Sequence, residues 1–194
     1  MTIEGKRIVV TRATHQAEPL ADALRTRGAI PIMYPTIAIK PTEDPALRRA
    51  ILDSEDFDWI IITSANTAVA LSEYRLLLNT VKVAAVGETT ADAIREYMEE
   101  VVDFTPRQQT GESLAEHLPD VRSHTRIFLP QSAKADNTLA DMLRARSAEV
   151  VAVTAYHNVV SYEGDADVPG MLDDGQVDAF TFTSGSTVEN LTAR

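Results

Sequence analysis

RIVVTRATHQAEPLADALRTRGA, residues 7–29, aligns without a gap on RIFLPQSAKADNTLADMLRARSA, residues 126–148, and nine of the 23 positions are identical. A second pair repeats at nearly the same spacing: DWIIITSANTAVAL (58–71) on DAFTFTSGSTVENL (178–191), with five of 14 identical. The offsets are 119 and 120 residues. The chain therefore carries a duplicated unit of that length, the mark of an internally repeated architecture. A copy of residues 72–118 is expected after Arg194, where this sequence stops. Two similar lobes facing one another would make a cleft, and one of them is expected to be incomplete.

Each copy reads strand–helix–strand. RIVVTR (7–12) is a continuous apolar and β-branched run, as a strand buried on both faces of a parallel sheet requires. In the segment that follows, Leu20, Ala23 and Leu24 fall at helical spacing, and Gly28 suits the position just past the helix end. IPIMYP (30–35) is the next strand, and Pro31 and Pro35 place it at an edge or leaving the sheet. TIAIKPTEDP (36–45) and its repeat counterpart TAYHNVVSYEGD (154–165) read as two antiparallel crossings between lobes.

Between the crossings the pattern alternates regularly. Strands are predicted at 59–63, 81–86, 101–105, 126–130 and 149–153. Helices are predicted near 45–53, 66–78, 89–99, 111–118 and 136–147. Regular β–α alternation implies an α/β fold with parallel sheets and right-handed crossovers. The expected organisation is a discontinuous first lobe, 1–35 plus 166–194, a second lobe over 41–153, and linker strands at 36–40 and 154–165.

Composition narrows the function. The 194 residues hold no cysteine, which excludes disulfides, thiol catalysis and Cys-ligated metal. The net charge of −11 argues against a nucleic-acid surface. No metal-ligand spacing joins His15, His117, His124 and His157. The N-terminal stretch MTIEGKRIVV lacks the charged and apolar regions of a signal peptide, and no apolar run is long enough to span a bilayer. A cytoplasmic protein is the expectation.

Small polar residues recur where strands end and helices begin: Thr11-Arg12, Thr63-Ser64, Gly87 to Thr90, Thr110 to Ser113, Gln131-Ser132 and Thr183 to Ser186. In open parallel sheets, ligands bind beyond the carboxyl ends of the strands. Free backbone N–H groups there suit a ligand with many carboxylates or phosphates. Each Ser or Thr is also an ordinary helix cap. Their recurrence at matching places in both copies favours a shared role. VGETTA lacks the spaced glycines of a dinucleotide loop, and no Walker-type loop is present. Tyr156 lies on the returning crossover, where a phenol could donate a proton to a bound substrate or simply pack. Arg12 could pair with a substrate carboxylate or with a neighbouring acid.

In this order and spacing, GKRIVVTR, IIITSANTAV, VAAVGETTADAI, TGESLAEHL, RIFLPQS, VTAYHNV and FTFTSGSTVENL resemble the uroporphyrinogen-III synthase family. The resemblance covers essentially the whole chain. It implies two flavodoxin-like lobes joined by a two-stranded linker, the HemD-like arrangement. It implies a hydro-lyase of porphyrin and haem biosynthesis. Such an enzyme closes hydroxymethylbilane to uroporphyrinogen III, inverts ring D and loses water, without cofactor or metal. It implies a monomer whose only partner is the linear tetrapyrrole. Carried over by position, Tyr156 matches the family's proposed acid, and Thr90 matches a threonine at the site. Thr63, Ser64 and Ala65 match one backbone-donor turn, and Ser184, Gly185 and Ser186 match the other. Arg12, Gly87 and Ser132 complete the expected substrate-binding set. Family members continue beyond the point where this sequence stops, with a further strand turn and a final β–α unit. The alternative reading is a two-lobed polyanion-binding module, or a paralogue without activity.

Overall fold

The computed structural model describes residues 2–78, 81–164 and 167–193. The expected junction of the returning linker with the first lobe, at 165 and 166, lies outside the described residues. Two compact units are present: Met1–Ile39 with Asn158–Arg194, and Lys40–His157.

The first unit opens with β1 (Arg7–Val10), α1 (Thr14–Thr26) and β2 (Ile30–Met33). Gly28 follows α1 with φ +79°. That is the left-handed conformation in which a helix commonly ends, and glycine adopts it without steric cost. The chain then enters β3 (Ile37–Pro41).

The second unit begins with α2 (Pro45–Leu52), which Asp44 caps by accepting a hydrogen bond from the Ala46 N–H at 2.8 Å. Next come β4 (Trp59–Ile62) and α3 (Ala65–Leu71). The expected helix 66–78 does not run through. A 3₁₀ turn at Ser72–Tyr74 separates α3 from α4 (Arg75–Leu78). After β5 (Lys82–Ala85), α5 (Glu88–Ala93) widens into a π turn at Ile94–Met98 and stops at Glu99, φ +58°. The unit finishes with α6 (Gly111–His117), β6 (Arg126–Ser132), α7 (Thr138–Ala145) and β7 (Glu149–Val160).

The strand expected at 101–105 is replaced by a single bridge between Ala84 and Phe104. Asp103 is the physical reason. Its carboxylate, not a backbone carbonyl, accepts from the Val83 N–H at 2.8 Å. Pro106 then removes a ladder donor. The sheet order is β3-β7-β6-β4-β5. The four strands from β7 to β5 are parallel. The five-stranded sheet thus takes β3 in place of 101–105. β7 is also one continuous strand, with no break at 153 where the linker was expected to start. Thr36 accepts from the Ser161 N–H at 3.3 Å and Ala155 from the Thr42 N–H at 3.0 Å, so β3 runs antiparallel to β7. Trp59, Ile60, Ile61 and Ile62 are all buried, as a central strand covered on both faces demands. Trp59, Ile61, Ile127 and Leu129 pack against Leu114, Leu118 and Leu143 of the α6 and α7 region. Each such side chain contributes about 1.5–3 kcal/mol on burial.

The chain returns to the first unit through α8 (Val168–Asp173), β8 (Ala179–Thr181) and α9 (Gly185–Ala193). Its sheet is β2-β1-β8, all parallel, with a small core of Val9, Tyr34 and Val168. The repeat has a direct structural meaning. Ile8 pairs with Pro31 on one side and Ala179 on the other. Its counterpart Ile127 pairs with Val150 and Trp59. Both copies therefore build a central strand with the same neighbours in the same register.

Candidate active site

In the second unit the expected residues gather at the carboxyl ends of neighbouring strands. β4 leads into Thr63 and Ser64, and Ser64 turns the chain into α3, whose first residue is Ala65. Ser64 has the extended backbone of a helix cap. Its Oγ accepts from the Thr67 N–H at 3.2 Å and lies 3.1 Å from Thr67 Oγ1. The same Oγ lies 3.1 Å from the Tyr156 hydroxyl. β6 stands between β4 and β7, so this bond spans two strand gaps, roughly 10 Å of sheet. Few side chains other than tyrosine are long enough and end in a group that can hydrogen-bond there. Tyr156 is 4% exposed. Ser132 is its register partner on β6, where a bulge at Gln131/Ser132 shifts the ladder. Ala133 then donates to the Tyr156 carbonyl at 3.0 Å.

Gly87 and Thr90 follow β5, on the far side of β4 from β6. Thr90 is buried, and its N–H donates to the Gly87 carbonyl at 3.1 Å. Gln109, which the sequence reading did not single out, folds over this turn. Its Oε1 accepts from the Glu88 N–H at 3.3 Å. A Cβ on Gly87 would stand 2.5 Å from that oxygen and 2.9 Å from Gln109 Cβ. The glycine is required by this close approach, since its backbone is merely extended.

In the first unit, Arg12 follows β1 and Ser184 follows β8, its neighbour in the sheet. Arg12 Nη2 donates to Gln16 Oε1 at 3.3 Å. Its Nε is buried with no hydrogen-bond partner among the described residues. An orphaned buried guanidinium N–H carries a desolvation cost that a ligand acceptor would remove. Ser184 and Gly185 are exposed and Ser186 is half-buried. Ser184 Oγ accepts from the Thr187 N–H at 3.4 Å. This repeats the Ser64–Thr67 cap of the other copy, and both threonines are buried. Thr67 and Thr187 were not anticipated, although TSANT and TSGST align on them. Thr36 Oγ1 binds from below, donating to the Thr187 carbonyl at 3.0 Å.

Chemically, the Ser64–Tyr156 pair offers a positioned phenol with a second hydroxyl to support it. Among the described residues, no group of three or more His, Asp or Glu gathers as a metal site. No helix among them is long and apolar enough to cross a membrane.

A family model described as uroporphyrinogen-III synthase HemD matches residues 18–194. The chain is 30% identical over 199 residues to the porphyrin biosynthesis protein HemD of Ruminiclostridium josui, covering 97% of this chain and 39% of that protein. It is 32% identical over 195 residues to the uroporphyrinogen-III synthase of Synechococcus elongatus, covering 96% of this chain and 73% of the relative. The chain is thus shorter than both. A crystal structure of a mutant uroporphyrinogen III synthase from Thermus thermophilus superposes with a TM-score of 0.63 at 21% identity, over 97% of this chain and 77% of that one. The Helicobacter pylori uroporphyrinogen-III synthetase gives 0.61 at 14% identity, over 97% and 78%. At such identities these two structures speak for a shared α/β fold alone. The sequence relationships go further, and with the family model spanning most of its length, this chain belongs to the uroporphyrinogen-III synthase family.

Proposed function

We propose that this protein closes hydroxymethylbilane to uroporphyrinogen III with inversion of ring D and loss of water. The observation that carries the proposal, beyond family membership, is the Tyr156 hydroxyl 3.1 Å from Ser64 Oγ at the carboxyl end of the sheet. Ser64 Oγ uses one lone pair on the Thr67 N–H. When its own proton points to the phenol oxygen, the phenol proton is free to face a substrate. Tyr156 then protonates the departing hydroxyl, which leaves as water, and Ser64 stabilises the phenolate. The remaining azafulvenium is attacked within the same molecule, through a spiro intermediate. The proton lost when the last pyrrole regains aromaticity returns to the phenolate. The rest of the task is to hold a flexible chain so that the correct carbons meet. In this reading Thr90, like Tyr156, faces the reacting ring. Arg12, Thr63, Ser64, Ala65, Gly87, Ser132, Ser184, Gly185 and Ser186 bind the substrate's carboxylates. Arg12 does so with the buried Nε that lacks a protein partner.

The reading takes the protein as a cytoplasmic monomer of two flavodoxin-like lobes, with 36–40 and 154–165 as linker strands. The test is incubation with freshly generated hydroxymethylbilane. Spontaneous closure gives the type I isomer, so type III product requires the enzyme. Tyr156→Phe is expected to lower the type III rate by about 10²-fold, the lower end for a general acid, because this substrate ionises readily unaided. Type I product alone from the unaltered protein overturns the proposal. A full rate in Tyr156→Phe moves the acid to another residue.

A further inference from the structure

We infer that the pocket formed by residues 104–108 and α6 is a subsite for a carboxylate arm of the substrate, centred on Arg107. The inference rests on the proposed function and extends it to residues outside the expected site. The pocket has a volume of about 490 Å³ and is lined by Phe104, Pro106, Arg107, Gln108, Ser113 and His117, with Thr105. That volume lies in the range of ordinary small-molecule sites.

Its chemistry departs from the rest of the molecule. The chain has 29 Asp and Glu against 18 Lys and Arg, yet among the described residues no acid lines this pocket. Arg107 makes no hydrogen bond or ion pair to any described residue, whereas most other arginines of this unit are tied to acids or backbone carbonyls. A free guanidinium in an acid-free pocket of an acidic protein is a pre-set partner for a carboxylate, which it binds through two parallel hydrogen bonds. His117 Nδ1 is 2.9 Å from the Ser113 carbonyl, which orients the ring. Phe104 and Pro106 supply an apolar wall for the pyrrole that carries the arm.

The pocket is also joined to the candidate site by short links. The Phe104 carbonyl accepts from the Ala85 N–H at 2.9 Å, at the end of the strand that leads into Gly87. Thr110 N–H donates to Gln108 at 2.8 Å, and between these two residues Gln109 reaches the Glu88 N–H at 3.3 Å. Residues 104–110 therefore connect the pocket to the Gly87 turn, and in the proposed arrangement a polycarboxylate seated at that turn extends one arm toward Arg107.

The test is titration of the protein with uroporphyrin I, a stable octacarboxylate, and separately with tricarballylate, a simple tricarboxylate. The readouts are porphyrin fluorescence and the amide NMR shifts of residues 104–117. The expected result is porphyrin binding with shifts at Arg107 and Ser113. Arg107→Ala should weaken it roughly 10-fold or more, the loss of a charge-assisted hydrogen-bonded pair. Arg107→Lys should fall between, keeping the charge and losing the fork. Equal porphyrin affinity in the wild type and Arg107→Ala, without shifts at 104–117, overturns the subsite and leaves the proposed function standing. If tricarballylate shifts Arg107 and Ser113 while no porphyrin binds, the pocket takes small carboxylates but not a substrate arm and the subsite is overturned, while the synthase reading is decided by the type III product assay. Absence of both responses overturns the subsite. Far-ultraviolet circular dichroism melts of each variant confirm that the fold is intact.

Discussion

Ser64→Ala should destabilise the second unit by more than a helix cap alone explains. Three groups lose Ser64 Oγ as a partner: the Thr67 N–H, the Thr67 hydroxyl and the Tyr156 hydroxyl. The Thr67 N–H keeps the Ser64 carbonyl at 3.0 Å, so loss of the cap falls at the low end, about 0.5 kcal/mol. The Tyr156 hydroxyl belongs to a side chain only 4% exposed, and leaving it unsatisfied costs about 1–2 kcal/mol. The total is about 2 kcal/mol, a shift of roughly 1 M in the urea midpoint for a protein of this size. Tyr156→Phe alone removes the buried hydroxyl and should cost about 1 kcal/mol. With that hydroxyl gone, adding Ser64→Ala removes only the contacts to Thr67. The double-mutant cycle should therefore show a coupling of about 1.5 kcal/mol. The assay is equilibrium urea unfolding followed by the fluorescence of Trp59. It is the single tryptophan of the chain and is 2% exposed on β4, so it reports this unit specifically. Strict additivity, with a coupling under about 0.3 kcal/mol, refutes the bond between the two hydroxyls as an energetic link.

Two other perturbations test the surroundings. Gly87→Ala places a methyl group 2.5 Å from Gln109 Oε1, so Gln109 must leave the Glu88 N–H; overpacking of this kind costs about 1–3 kcal/mol, and the same Trp59 unfolding curve should show it. Asp178 accepts from Lys6 Nζ at 2.7 Å and from the Arg7 N–H at 2.8 Å, and these hold its carboxyl below the ordinary value of 3.8. A depressed folded value means that its contribution is complete above pH 3.8 and is lost as pH falls through the folded value. Thermal melts of the first unit, followed through the Phe180 and Phe182 ring resonances, should therefore lose stability in acid, and Asp178→Asn should flatten that dependence.

The sequence by itself determined the alternation of strands and helices and the duplication. Both are local or one-dimensional signals: apolar runs such as WIII mark buried strands, and a gapless offset marks a copied unit. It also singled out Ser64 and Ser184, because hydroxyl residues before a helix have a local job as caps. Local chemistry likewise read IPIMYP as a strand at an edge or leaving the sheet, and β2 stands at the edge of its sheet. Residues 101–105 show where this reasoning stops. Their β-branched pattern fits a strand, but whether a segment joins a sheet depends on what lies beside it. There the Asp103 side chain takes the hydrogen bond a strand carbonyl would have taken. The tertiary structure alone decided which distant residues meet. Ser64 and Tyr156 are 92 residues apart and touch because the sheet order runs β7-β6-β4-β5 rather than in chain order. Gln109 on Gly87 and the acid-free setting of Arg107 are of the same kind. Side-chain encounters at strand ends follow from the order in which strands assemble, and that order is fixed by packing across the whole unit, which no short window of sequence contains.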